Sequence, residues 1–215
     1  SAVAGAFAAG CTAMLICRSG SDMLDRRALA IVTSIGNFGR FPEAMRPLVA
    51  RVVHACGMVE VADRLAFSPR AAEAGRAALA AGAPILCDCV MVAAGITRVP
   101  NERVVTLNEP GVPELAARLG TTRSAAAVEL WEGRIEGAVV AIGNAPTALF
   151  HLLERLDAGW PRPALILGFP VGFVGAAESK AELGADPRGA EFVTLKGRRG
   201  GSAMAAAAVN ALGLQ

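Results

Sequence analysis

From residue 82 to the C-terminus, short apolar runs alternate with longer segments of helical character. The apolar runs are APILCD (83–88), RVVTL (103–107), GAVVAIG (137–143), PALILGF (163–169) and EFVTLKG (191–197). They lack polar alternation, which is the pattern of strands covered on both faces. Among and after them lie PELAARL (113–119), SAAAVELWEGRI (124–135), APTALFHLLERL (145–156), VGAAESKAEL (174–183) and GSAMAAAAVNAL (201–212). Strand alternating with helix predicts an α/β fold, with a mostly parallel central sheet of about five strands covered by helices. The preceding residues read as a helical N-terminal region, in which 41–65 has a break near Gly57. In 67–84, Ser68 reads as the N-cap, Pro69 as the first helical residue and Gly82 as the stop. No low-complexity linker or internal repeat divides the chain, so residues 1–215 are expected to form one domain.

Composition narrows the function classes. Hydrophobic residues make up 53% and charged residues 19%, which suits a large Ala-rich core. A net charge of +2 lacks the basic excess that coats a polyanion. With 5% aromatic residues and no Tyr, stacking platforms for single strands are missing too, so no nucleic-acid partner is expected. The opening SAVAGAFAAGCTAMLIC carries no charge over residues 1–17, yet it is short for a membrane span and no basic stretch precedes it. It reads as a buried N-terminal helix. The chain opens on Ser1 rather than Met, which leaves room for an upstream segment. A soluble, cytoplasmic protein with no membrane partner is the expectation. Five cysteines (Cys11, Cys17, Cys56, Cys87 and Cys89) are an odd number, which favours a reducing compartment over a disulfide framework. CDC at 87–89 lacks the partner pair of a zinc site, so these cysteines read as small core residues.

Ligands of open parallel sheets bind beyond the carboxyl ends of the strands. Three loops there are unusual: GNAPT (143–147), GFPVGFVGAAESK (168–180) and KGRRGGSAM (196–204). Glycines let backbone amides approach a ligand and helix N-termini favour anions, so an anionic or highly polar ligand is indicated. The competing reading is that small residues merely let helices pack close to strands. No P-loop or strand-linked GxGxxG is present. Acid–base candidates are few. His54 and His151 both lie in apolar helical runs, where a structural role competes with a catalytic one.

Taken together, RVVHACG (51–57), FSPRAAEAGRAALAAGAPILCD, TRSAAAVELW, AVVAIGNAPTALF, GFPVGFVGAAESK and GRRGGSAMAAAAVNAL closely resemble the precorrin-8X methylmutase family of cobalamin biosynthesis. The resemblance runs from about Arg27 to the C-terminus with the motifs in family order. It implies an α/β homodimer that needs no cofactor or metal, with both subunits contributing to each active site. The implied reaction moves a methyl group from carbon 11 to carbon 12 of precorrin-8X or cobalt-precorrin-8, formally a 1,5-sigmatropic shift. Its product is the corrin hydrogenobyrinate or its cobalt form. The family's catalytic histidine falls on His54. Arg123 and Thr97 are expected at the substrate by family position, and Asn144, Gly200, Gly201 and Ser202 by loop position. Two departures stand out. Ala28 occupies a position where the family often has serine, with Ser34 the candidate to replace the hydroxyl, and Cys89 stands where alanine is commoner. Residues 1–20 match nothing in the pattern. A corrinoid carrier with the same fold and little turnover is the alternative, and a nucleotide- or S-adenosylmethionine-dependent enzyme is a more distant one.

Overall fold

A computed structural model describes residues 28–30, 32, 34 and 38–213 of the protein. The expected buried helix at 1–17, Arg27, Cys11 and Cys17 lie outside these residues. The helices are α1 (Arg46–Cys56), α2 (Val61–Arg64), α3 (Ala71–Ala80), α4 (Val90–Gly95), α5 (Val112–Leu119), α6 (Arg123–Glu129), α7 (Pro146–Asp157), α8 (Ala176–Ala185) and α9 (Ser202–Leu212). The strands are β1 (Leu65–Phe67), β2 (Ile85–Cys87), β3 (Arg103–Val105), β4 (Val139–Ile142), β5 (Leu165–Gly168) and β6 (Glu191–Leu195). They form a six-stranded sheet in the order β1-β6-β5-β4-β2-β3. Every pairing is parallel except β1 with β6.

Alternate residues of each strand feed two cores. Val139, Ala141, Leu165, Leu167, Val193 and Leu195 pack with residues of α1, α3 and α9. Val140, Ile142, Ile166 and Phe192 face the other way, onto Trp131 and Leu149, Leu152 and Leu153 of α7. This two-sided burial is why the strand sequences are continuously apolar. Helix α9 is buried from Met204 to Leu212, and its alanines let it lie close to both the sheet and α1. Among the described residues, no helix is long and apolar enough to cross a membrane.

The five expected strands are all present, and a sixth joins them. Residues 65–67 were expected within or beside helices, but they pair antiparallel with β6, Leu65 opposite Leu195 and Phe67 opposite Val193. Three residues carry too little periodicity to announce a strand, and the open backbone edge of β6 supplies the partner. Ser68 is not the N-cap of α3. Its hydroxyl donates to Glu191 and accepts from the Phe192 amide at 2.9 Å, while the helix starts at Ala71 behind Arg70. The break at Gly57 is as expected, with φ of 68° and its amide on the Val53 carbonyl at 2.9 Å. The segment expected as one helix over 124–135 divides after Glu129, and a short 3-10 turn follows at Glu132–Arg134. That turn seats Trp131, 1% exposed, in the second core.

Candidate active site

The parallel strands end nearly level: Cys87 is paired with Ala141, Ile142 with Gly168, and Gly168 with Thr194. The three glycine loops leave this carboxyl edge and are tied to one another. The amide of Val171 donates to the Asn144 carbonyl at 3.4 Å, Gly172 to Arg198 at 3.3 Å, and Gly201 to Phe169 at 2.8 Å. A Cβ on Gly200 would lie 2.3 Å from the Phe169 oxygen, and one on Gly143 would lie 2.7 Å from Cα of Ser202. Close packing therefore accounts for these two glycines without any ligand. The amides of Gly143, Asn144 and Ala145 are likewise committed, to the buried carboxylate of Asp88 at 3.0, 2.8 and 2.9 Å.

His54 lies exposed in the last turn of α1. The chain after this turn belongs to the carboxyl edge. Glu60 accepts from Arg199 at 2.8 Å, and the Lys196 amide donates to the Arg64 carbonyl at 2.9 Å. His54 thus belongs to the same edge as the basic loop 196–201. Cys56, two residues on, is half-buried, its thiol directed to the Val53 and Met58 carbonyls, and burial pushes its pKa up. That is the behaviour of a packing cysteine, not a nucleophile. Cys87 and Cys89 are buried as well, and burial pushes the Cys87 thiol up to about 12. His151 is paired with Glu129 at 2.6 Å and with Glu154 at 3.4 Å, so it ties α7 to α6.

Arg123 is the first residue of α6 and is exposed. Thr122 caps that helix by accepting the Ala125 amide at 3.2 Å, and its hydroxyl meets that of Thr147, in the first turn of α7, at 2.8 Å. Arg123 therefore stands beside the loop that carries Asn144, whose residue is exposed. Gly201 has φ of 132° and precedes α9. Ser202 is buried, with its hydroxyl 3.5 Å from the Cys89 sulfur. Thr97 is not brought to this group. Its amide donates to Asn210 Oδ1 at 2.9 Å, eight residues along α9 from Ser202, about 12 Å away at the rise of an α-helix. Ser34 is exposed, and Ala28 is half-buried.

Four features of this edge had no sequence signature strong enough to single them out. Asp88 sits in the unremarkable CDC stretch, yet it organises the loop after β4. Burial pushes its carboxyl up, and the three amide bonds pull it back. Lys180 of α8 is 1% exposed, its ammonium donates to the Arg199 carbonyl, and burial pulls it down to about 8. Arg51 stands three residues before His54, on the same helix face. Phe173 and Val174, at the tip of the loop after β5, are 87% and 88% exposed, and the Arg198 guanidinium lies 5.9 Å from the Phe173 ring centre. The one available signal was that two large apolar residues followed a glycine in a loop between strand and helix.

The precorrin-8X methylmutase family model matches residues 24–214. The chain is 62% identical over 191 residues to the precorrin-8X methylmutase of Pseudomonas aeruginosa, covering 87% of this chain and 92% of that one. It is 54% identical over 199 residues to that of a Sinorhizobium species, covering 91% and 94%. Identity to the cobalt-precorrin-8 methylmutase of Priestia megaterium is 37% over 179 residues, covering 81% and 79%. The solved precorrin-8X methylmutase of Thermus thermophilus superposes with a TM-score of 0.82 at 38% identity, covering 90% of this chain and 95% of that one. A family match over nearly the whole chain, relatives above half identity and the same fold establish that the chain belongs to the precorrin-8X methylmutase family.

Proposed function

We propose that this protein is the isomerase that moves the methyl group of precorrin-8X from carbon 11 to carbon 12, giving hydrogenobyrinate. The observation that carries the reading is the 62% identity to the Pseudomonas aeruginosa methylmutase over 92% of that protein's length. The metal-free substrate is favoured over the cobalt form. The Pseudomonas aeruginosa and Sinorhizobium relatives, above half identity, are named for precorrin-8X, whereas five relatives named for cobalt-precorrin-8 lie between 28% and 39%.

The chemistry fits an edge with few reactive side chains. A sigmatropic shift is concerted, so it needs no nucleophile and no electron carrier. It needs the macrocycle held in one conformation and a proton or hydrogen bond delivered to its conjugated system. His54 is the donor: as imidazolium it protonates the substrate, taking the proton back once the shift is complete, or bonds a ring nitrogen, and in either case draws electron density away as the methyl group migrates. One such group contributes about 10²–10⁴-fold, and positioning supplies more. Arg123 takes a peripheral carboxylate through its guanidinium fork. Asn144 offers its side chain from the neighbouring loop, and Gly200, Gly201 and Ser202 shape the wall below the basic loop. Phe173 and Val174 present apolar surface to the plane of the macrocycle. Thr97 lies beside the far end of α9 from this group, so a role at the substrate would require a second copy of the chain to hold that substrate. A homodimer in the cytoplasm is the matching assembly.

The test is to mix purified protein with precorrin-8X and with cobalt-precorrin-8 and follow the visible spectrum. Conversion of the yellow precorrin to an orange-red corrin over many turnovers, faster for the metal-free form, is expected. Stoichiometric binding without conversion would instead make the protein a corrinoid carrier.

A further inference from the structure

The chain passes from β2 outward to β3 and then returns to place β4 on the other side of β2. The sheet order therefore reverses between β2 and β4, and this is where open parallel sheets form a ligand crevice at their carboxyl ends. Asp88 directly follows β2, and residues 143–145 directly follow β4. The side chain of Asp88 reaches across the crevice and receives all three consecutive amides of that loop, Gly143 on Oδ1 and Asn144 and Ala145 on Oδ2. Such a run of amides ordinarily offers itself to a ligand anion; here a carboxylate of the chain itself occupies it.

What Asp88 fixes extends in two directions. Ala145 leads into Pro146 and Thr147, the start of α7, and the Thr147 hydroxyl meets Thr122, the cap that precedes Arg123. The side chain of the next residue, Cys89, lies against Ser202, and the backbone of Gly143 packs on that same Ser202. A 4%-exposed carboxylate thus sets the standing of two residues that are themselves exposed, Asn144 and Arg123.

We infer that Asp88 is a positioning residue for the substrate, acting through the 143–145 loop on Asn144 and, through Thr147 and Thr122, on Arg123. The inference rests on the methylmutase reading of this edge. A carboxylate that merely satisfied backbone amides would affect stability across the whole sheet. One that positions the loop affects substrate binding first.

Two readouts separate these roles. In the wild-type protein, the amides of Gly143, Asn144 and Ala145 are expected to exchange with solvent as slowly as those of β4, since all three are bonded to Asp88. The Asp88→Asn variant keeps the shape but turns one acceptor into a donor facing an amide. Exchange at 143–145 then rises on the order of tenfold while Val139–Ile142 are unchanged. KM for precorrin-8X rises by a similar factor and kcat changes less. The Thr147→Val variant cuts the link to Thr122 while leaving the carboxylate in place, and so reports on the relay even if the Asp88 variant does not fold. It raises KM with exchange at 143–145 as in the wild type. An unchanged KM in either folded variant overturns the inference, as does exchange that rises equally through β4 and α7. Should the wild-type protein fail to turn over precorrin-8X, the methylmutase reading falls separately, and exchange still decides whether Asp88 holds the loop.

Discussion

His54 and Arg123 stand at the same edge of the sheet but on opposite faces of it. One ends a helix of the face built on α9, and the other begins a helix packed against α7. A flat macrocycle lying across the carboxyl edge can take a proton from one side and lose a carboxylate's freedom to the other. The two side chains therefore have separable effects. The His54→Ala variant should lower kcat by about 10²–10⁴-fold and leave affinity for the corrin product, read by absorbance titration, nearly unchanged. The Arg123→Ala variant should do the reverse, weakening binding by ~1.5–3 kcal/mol, the worth of a charged hydrogen bond, and flattening its salt dependence. Arg123→Lys falls between the two, since it keeps the charge and loses the fork.

Gly200 and Gly184 make a matched pair for the packing reading of the glycines. At Gly200 an added methyl would collide with the backbone oxygens of Phe169 and Pro170, at 2.3 and 2.4 Å, neither of which is the end of a flexible side chain. The Gly200→Ala variant should lose about 3 kcal/mol of stability or more, lowering the melting temperature by ~10 °C. Gly184 lies inside α8 with nothing within 4 Å of the added atom. Gly184→Ala should gain ~0.5–1 kcal/mol by relieving the unfolded chain of glycine's freedom. Thermal unfolding of both variants checks the contrast.

These residues also mark how far the sequence can be read. The parallel strands were legible because burial on both faces leaves a plain signature, an unbroken apolar run between helices. β1 was not, because its three residues form a strand only through the backbone edge of β6. Six-residue α4 was not either, since it begins with exposed Val90 and Met91 and so lacks an amphipathic pattern. His54 and Arg123 were singled out by motif resemblance rather than by their spacing. Asp88 and Lys180 were hidden for a different reason. What distinguishes each is a long-range partner, 55–57 residues away for Asp88 and 19 for Lys180, and no local pattern encodes that.

Lys180 makes stability depend on pH in a definite direction. Burial lowers its pKa in the folded protein to about 8 from the ordinary lysine value of 10.5. Between these values the unfolded chain binds more protons than the folded one, so stability rises as pH rises through that window. Cys87, pushed up from 9.0 to about 12, acts in the opposite sense above pH 9.0. The interval from about pH 8 to 9 therefore reports on Lys180 most cleanly. Urea unfolding across that interval should show the wild type gaining stability with pH, while Lys180→Met, similar in length but uncharged, shows a flatter profile.

Phe173 is the position where fold and function are most cleanly separable. A ring 87% exposed contributes little to the core, so Phe173→Ser should change folding stability by no more than an ordinary surface substitution does, about ±0.5 kcal/mol, as read by thermal unfolding. Its neighbours fit the proposed contact with the substrate. Arg198 lies 5.9 Å from the ring centre, Val174 extends the apolar surface, and the Gly172 amide is bonded to the Arg198 carbonyl, so apolar platform and cation sit side by side. A macrocycle with a fringe of carboxylates needs both. Covering the ring with substrate is worth ~1.5 kcal/mol or more, so KM for precorrin-8X should rise about tenfold in Phe173→Ser with kcat little altered. Sedimentation of the same variant completes the test: an unchanged oligomeric state assigns the ring to the substrate. A smaller species with wild-type KM would assign it to contact between copies of the chain.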